Sequence, residues 1–330
     1  MGSARRIPST GIVLTGGALL LGAAGFGLWA LDRAASDLVD RVTSSLERTL
    51  SGPLGHPVRF GSYAGLRPWG IALGPSRILP TADDRSEVSL ASIVVQIDPL
   101  ASVRNWQPVI RLRLQGAQAA LRRSKESQYW IPGKQTISGD LPRITLLYEL
   151  DQPAKVSFAP MNQSLQLFSR GSVVLGDRWF NSRAKLHSLD GAGSVNLEVR
   201  GRWDQPELAV RMRPEQVDLG SLAQFTPAPE KAQVGGRLNG DLHLRLKSGQ
   251  AECLGGLQLK GLQLEVPSLP GPFRSDLLKL ACRDRTVQLV ESRFRLKDWS
   301  GQASGTMALN QSIDLAVQLR HAKRKDNIDL

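Results

Sequence analysis

From residue 54 onward, polar and apolar residues alternate along most of the chain. The segments Ile110–Leu114 (IRLRL), Val195–Val199 (VNLEV) and Leu242–Leu246 (LHLRL) show the pattern. Successive side chains of a β-strand point to opposite faces, so each segment predicts a strand with one apolar and one polar face. Turn residues such as Gly191-Ala192-Gly193 separate the segments. The alternation predicts an all-β body, an elongated antiparallel sheet whose apolar face must curl, stack or bind something apolar.

A helical pattern precedes the strands. Leu38, Val42, Leu46 and Leu50 recur at every fourth position, and Ser51-Gly52-Pro53 ends the pattern. This predicts a helix over residues 32–51 whose apolar stripe packs against the following domain. A second, short helix is predicted between residues 218 and 225.

Residues 11–31 (GIVLTGGALLLGAAGFGLWAL) contain no charged residue. At 1.5 Å per residue they reach across a hydrocarbon core of about 30 Å, which predicts a transmembrane anchor. A cleaved signal peptide is the alternative, but the run exceeds the usual apolar region of about 7–15 residues. The side chains predicted to contact lipid are Ile12, Leu14, Leu19, Leu20, Leu21, Phe26, Leu28 and Trp29.

The charges around this segment predict its orientation. Arg5 and Arg6 precede it, whereas the charged residues between Asp32 and Arg41 sum to −1. The positive-inside rule then keeps residues 1–10 in the cytoplasm and exports everything after Leu31.

The formal net charge of +12 does not by itself identify a partner. Most basic residues alternate with apolar ones, so a solvated sheet face is the simplest interpretation, and attraction to anionic lipid headgroups is the sharper one. Nucleic-acid binding would require basic residues interleaved with aromatic ones on one surface. For an exported protein we do not expect it.

No pattern in the sequence indicates catalysis, a metal or a cofactor. The four histidines are far apart, Asp83-Asp84 is expected to be a solvated turn, and there is no phosphate-binding or nucleophile motif. Cys253 and Cys282 lie in phase with apolar residues. Buried free thiols are favoured over a bridge, because geometry cannot be read from sequence. The chain is therefore predicted not to be an enzyme.

The region from His56 to Gly133 contains ordered short motifs. They are Gly55-His56-Pro57-Val58, Gly70-Ile71-Ala72-Leu73-Gly74-Pro75-Ser76, Asp98-Pro99-Leu100 and the closing Tyr129-Trp130. This order resembles the N-terminal portion of the TamB branch of the AsmA-like superfamily, in its cyanobacterial and chloroplast-envelope form. The resemblance implies an anchor in the inner (plasma) membrane and a periplasmic curled sheet, a β-taco, divided into an N-terminal unit (52–137) and β repeats (138–330). Family members are usually longer, so we expect the chain to be truncated.

The resemblance also implies a role in outer-membrane biogenesis. The first hypothesis is that the apolar groove shields phospholipid acyl chains. The second is a scaffold that helps outer-membrane proteins assemble with an Omp85/TamA-type barrel by strand addition. The third is an inert envelope spacer with a packed interior. The predicted groove-lining residues are Ile93, Val95, Ile97, Ile110, Leu112, Leu114, Leu242, Leu244, Leu246, Leu257 and Leu259.

Overall fold

The computed structural model describes residues 32–321, apart from 34, 38, 53, 124–129, 131–141, 160–162, 189–192, 203, 206, 224–232, 248–249, 268 and 309–312. The predicted anchor, residues 11–31, lies outside the described residues. So does the predicted unit boundary at 137/138. Among the described residues, no helix combines the length and the apolar character needed to cross a membrane.

Within the described residues, the chain forms one curled 21-stranded sheet and three helical segments. The helices are α1 (described residues 32–33, 35–37, 39–52 and 54), α2 (Pro99–Asn105) and α3 (Leu219–Ala223). The strands are β1 (Val58–Arg59), β2 (Tyr63–Arg67), β3 (Gly70–Leu73), β4 (Ser76–Ile78), β5 (Glu87–Leu90), β6 (Ser92–Ile97), β7 (Val109–Gln115), β8 (Gln118–Arg122), β9 (Thr145–Leu150), β10 (Ala154–Ala159), β11 (Gln163–Val174), β12 (Trp179–Ser188), β13 (Ser194–Arg202), β14 (Glu207–Glu215), β15 (Val217–Asp218), β16 (Gln233–Lys247), β17 (Gln250–Glu265), β18 (Phe273–Asp284), β19 (Thr286–Leu296), β20 (Trp299–Ala308) and β21 (Ile313–His321). The predicted β-rich body with few helices is confirmed.

The strands follow one another as a single ladder. The first ten form five bent strands, because β1 and β2, β3 and β4, β5 and β6, β7 and β8, and β9 and β10 each continue past a kink. At one kink Gly116 has φ 59°, and a Cβ there would lie 2.6 Å from the Cβ of Ala91. A larger residue would therefore collide with the facing strand. From β11 to β21 each strand pairs with the next, with β14 and β15 both pairing with β16.

One step of the ladder departs from the predicted antiparallel arrangement. β7 pairs with β9, and β8 with β10, in parallel. The connection covers residues 123–144, which is long enough to return the chain to the end where β7 began. The predicted antiparallel arrangement fails at this step, and the remaining pairings of the described strands are antiparallel.

Helix α1 runs along the first edge of the sheet, in the opposite direction to β1 and β2. The Ser51 hydroxyl accepts the backbone N–H of Val58 at 3.0 Å, and the Glu47 carboxylate accepts that of Phe60 at 2.7 Å. These polar side chains satisfy donors at an edge that would otherwise lack partners. The predicted packing stripe is only partly right: Val42 and Leu46 are 47% and 43% exposed, whereas Leu50 is half-buried and Val39 beside it is buried.

Helix α2, which the alternation did not predict, has a sequence signal in Asp98-Pro99. The Asp98 carboxylate caps the helix by accepting the N–H of Ala101 at 2.9 Å, and proline occupies the first turn. This hydrogen bond, followed by the guanidinium of Arg111, lowers the pKa of Asp98. The short helix predicted near residue 218 is present as α3.

Candidate functional site

The strand register places one continuous row of side chains across the sheet. Residues directly opposite each other in adjacent strands share a face. Followed from β7 to β17, the row is Leu112, Tyr148, Gly171, Ser182, Val199, Val210, Leu244 and Cys253. We call the side of the sheet that carries this row the apolar face.

All of the predicted lining residues lie on the apolar face. Ile93, Val95 and Ile97 on β6 stand opposite Leu114, Leu112 and Ile110 on β7. Leu242, Leu244 and Leu246 on β16 share their face with Leu257 and Leu259 on β17, as the register of the two strands requires. The structure thus places on one face two groups that are more than 120 residues apart in sequence. That they contact lipid stays a prediction.

Between these two groups, the alternation predicted parts of β11, β13 and β14 but missed other strands that complete the face. β9 (TLLYEL) was not predicted, because Leu147 interrupts its alternation, and β12 was missed because Ser182 and Ala184 make its apolar side weak. Their register neighbours could have identified them, but pairing is not visible in one sequence. Members of the apolar face on the strands from β9 to β14 include Leu146, Tyr148, Val173, Phe180, Leu186, Leu197, Val199, Leu208, Val210 and Met212.

The apolar face is covered at its first end. Val39 of α1 is 6% exposed and packs in a cluster with Leu73 and Ile93. Tyr63 and Leu114 lie partly buried around this cluster. This is the compact hydrophobic core of the described chain, and it closes the face near β2, β3 and β6.

Further along the ladder, the face has no second layer among the described residues. From β9 onward the substantial contacts between described elements join neighbouring strands or join α3 to β15 and β16. Leu244 and Leu246 are each 40% exposed, and on β21 Leu315 and Leu319 are 52% and 54% exposed. Large apolar side chains therefore form a long surface that no described element covers.

Aromatic rings fill the places on this face where glycines leave gaps. Tyr148 stands opposite Gly171, and a Cβ at that glycine would lie 2.7 Å from the tyrosine ring. The Tyr148 hydroxyl lies 2.5 Å from the Ser182 hydroxyl, so its polar atom has a partner. Phe294 covers Gly301 in the same way. These pairs keep the apolar face continuous across the glycines.

A disulfide joins Cys253 on β17 to Cys282 on β18, with the two Cα atoms 5.5 Å apart. The expectation of free thiols is wrong. Cys282 stands opposite Gly255, two residues from Cys253, which makes the cysteines diagonal neighbours on one face. That separation is within the range a disulfide requires. The bridge lies on the apolar face and is buried there.

The opposite face of the sheet is polar and laced with ion pairs. Asp241 accepts hydrogen bonds from Arg211 at 2.5 and 2.9 Å and from Arg213 at 3.1 Å. The hydrogen bond from Arg211 and then that from Arg213 hold the pKa of Asp241 well below its usual range, against the opposing effect of desolvation. Glu198 lies in a similar position between Arg183 and Arg200. The basic residues of these strands are thus largely a solvated, charge-paired surface.

One histidine and one aspartate form a buried pair instead of lying in solvated turns. His56 and Asp84 are each 1% exposed, with Nε2 of the ring 3.1 Å from the carboxylate, so neither is a solvated turn residue. Nδ1 lies 3.0 Å from the carbonyl of Leu79, and the Trp130 ring is 4.2 Å away. Both ring nitrogens are occupied by these contacts, which makes the pair a clasp between two loops. Among the described residues, no cluster of three or more His, Cys, Asp or Glu could hold a metal ion.

Comparison of the chain with protein-family models, curated proteins and solved structures found no match. The resemblance to the TamB branch therefore stays a prediction from the sequence.

Proposed function

We propose that this protein is a membrane-anchored, periplasmic bridge-type protein that shields phospholipid acyl chains along the apolar face of its sheet. The observation that carries the proposal is the uncovered part of that face, which continues in register from β9 to β21. Water in contact with such a surface is unfavourable by about 25 cal/mol per Å². An acyl chain laid on it would remove both apolar surfaces from water.

The dimensions of the face suit this role. Ten inter-strand steps separate β9 from β21, and at about 4.8 Å per step the row extends for roughly 50 Å. One leaflet of a bilayer contributes about half of a 30 Å hydrocarbon core. The row is therefore longer than one acyl chain, and each methylene it shields contributes about 0.8 kcal/mol.

Two further observations favour an exported, anchored body. The uncharged residues 11–31 and the preceding arginines predict the anchor and its orientation. The Cys253–Cys282 disulfide favours an oxidising compartment outside the cytoplasm.

A charge placed on the face separates this proposal from a packed interior. Leu244 is 40% exposed, so the carboxylate introduced by Leu244→Glu can reach water. The thermal melting temperature should therefore stay within a few degrees of wild type. The same charge should prevent acyl chains from lying on the apolar face. A photo-crosslinker at position 244 should capture phospholipid in the membrane fraction, and Leu112→Glu should lower the yield several-fold. Leu254→Glu is the matched control, because Leu254 lies on the polar face and is 62% exposed.

If the face were a closed core, the same Leu244→Glu change would bury an unpaired charge and cost several kcal/mol. A collapsed melt together with no lipid crosslink at position 244 would leave the spacer hypothesis.

A second candidate function rests on the last strand. Within the described ladder, β21 pairs with β20 alone, and Val317 and Leu319 on it are 46% and 54% exposed. Such an edge can pair with a strand of a client or of an Omp85/TamA-type barrel. Crosslinkers at Val317 that capture protein, with none capturing lipid at Leu244, would favour this scaffold role.

A further inference from the structure

An exposed apolar cluster lies at one rim of the sheet, away from the open part of the apolar face. It comprises Leu66, Trp69, Ile97, Leu100, Val103 and Trp106, which we call the rim patch. Trp106 is 93% exposed, Leu100 83%, Trp69 72% and Val103 71%. Scattered single exposed apolar residues are ordinary, but six within two adjoining segments, 66–69 and 97–106, offer a contact surface.

The backbone holds the two halves of the rim patch together. The β2–β3 turn contributes Trp69, whose carbonyl accepts the N–H of Ile97 at 2.9 Å. The Gln96 side chain donates to the carbonyl of Pro68 at 3.1 Å, next to the start of α2. Trp69 and Trp106 both have positive φ, 62° and 52°, which is unfavourable for a bulky side chain. Because these exposed rings gain little from packing within the protein, their strained backbone favours a role in contacting another molecule.

The direction of α1 indicates what covers the patch. Its late residues bond the start of β1, as Ser51 does with Val58, while its early Asp32 accepts the hydroxyl of Tyr63 at 2.5 Å. Asp32 and Val39 are seven positions apart, which corresponds to about 10 Å along a helix. The first described residues of α1 therefore contact β2, the strand that leads through Leu66 into the turn of Trp69. The sequence immediately before them is the uncharged run 11–31.

We propose that the rim patch inserts into the headgroup region of the membrane as a contact separate from the anchor. Tryptophan prefers this region because its ring is apolar and its N–H is polar. Arg67 and Arg104 are exposed in the same two segments and suit anionic headgroups. The inference rests on the membrane placement in the proposed function and adds that the closed first end of the apolar face is held at the bilayer surface.

The test uses the full chain in vesicles of phosphatidylethanolamine and phosphatidylglycerol. An environment-sensitive fluorophore on Leu100→Cys reports the patch, and one on Leu254→Cys, 62% exposed on β17, is the matched control. The native cysteines are bridged and do not take the label. We expect blue-shifted emission at position 100 and several-fold stronger quenching there than at position 254 by nitroxide-labelled lipid. Trp106→Asp should reduce this quenching without changing the thermal melt, because Trp106 is almost fully exposed.

Emission at position 100 that matches position 254 would overturn the proposal. A blue shift without quenching by labelled lipid would also overturn it, since a protein would then cover the patch. Lipid crosslinking at Leu244 is read in the same vesicles. Crosslinking without quenching rejects the rim patch alone, and quenching without crosslinking rejects the acyl-chain proposal alone.

Discussion

At the scale of single residues, the buried pair of His56 and Asp84 gives the sharpest stability prediction. Truncating His56 removes the partner of Oδ2 of the buried Asp84 carboxylate, whose Oδ1 still accepts the N–H of Ser86. His56→Ala should therefore lower the free energy of unfolding by about 3–5 kcal/mol. Denaturant unfolding followed by circular dichroism measures this. His243→Ala is the control, because that side chain is 45% exposed beside Asp241 and should cost less than about 1 kcal/mol. Equal losses in the two variants would contradict the clasp.

The pH dependence of the polar face follows from Asp241. Its pKa is lowered in the folded protein, chiefly by the hydrogen bond from Arg211. The stabilisation is therefore complete above the unfolded value of about 3.9 and is lost as the pH falls from there toward the folded value. Asp241 is 42% exposed, so after screening by solvent we expect Asp241→Asn to cost about 1 kcal/mol at pH 7. The difference from wild type should shrink at pH 3, and a difference that grows on acidification would refute this account.

The prediction that Asp83-Asp84 is a solvated turn failed because the burial of Asp84 depends on a loop that is distant in sequence. Asp83-Asp84 has the composition of a solvated turn, yet Asp84 faces His56, which is 28 positions earlier. Nothing local marks Asp84 as the buried member, since its neighbour Asp83 is exposed. Alternation, in contrast, assigned the predicted leucines to one face because it depends only on adjacent residues.

At the scale of elements, the Cys253–Cys282 bridge fastens β17 to β18 on the apolar face. Cross-linking residues 29 apart in sequence restricts the unfolded chain, so Cys253→Ser should lower the free energy of unfolding by about 2–4 kcal/mol. Peptide mapping without reductant should recover the two cysteines as one linked pair, and a thiol reagent should modify neither in the native protein. Rapid modification of both cysteines without reductant would mean that the bridge is absent.

The elements divide into those with a local signal and those without one. β7 and β16 alternate strictly and were predicted, and so was the short α3. β9 was missed because Leu147 breaks its alternation. The parallel step between β7 and β9 depends on where a 22-residue connection (123–144) returns, and period-2 patterning contains no information about that.

At the scale of the whole molecule, the two faces of the single sheet differ in character. The apolar face is closed by α1 at its first end and uncovered along the later strands, while the polar face is stabilised by pairs such as Arg211–Asp241. An uncovered apolar face is stabilised when a ligand or a partner removes it from water, whereas a sheet with two polar faces gains nothing in this way. This asymmetry is why we place the function on the apolar face.

The orientation of the molecule gives the last prediction. If residues 11–31 are an uncleaved anchor, we expect a cytoplasmic N-terminus and an exported sheet. In spheroplasts, an impermeant maleimide should label Ser62→Cys and should leave Ser3→Cys unmodified until the membrane is opened. Ser62 is exposed, whereas its neighbour Gly61 is unsuitable, since a Cβ there would lie 2.3 Å from the carbonyl carbon of Gly74. The native cysteines, being bridged, add no background. Labelling of Ser3→Cys in intact spheroplasts would reverse the topology, and a mature protein that begins near Ala34 would replace the anchor with a cleaved signal peptide.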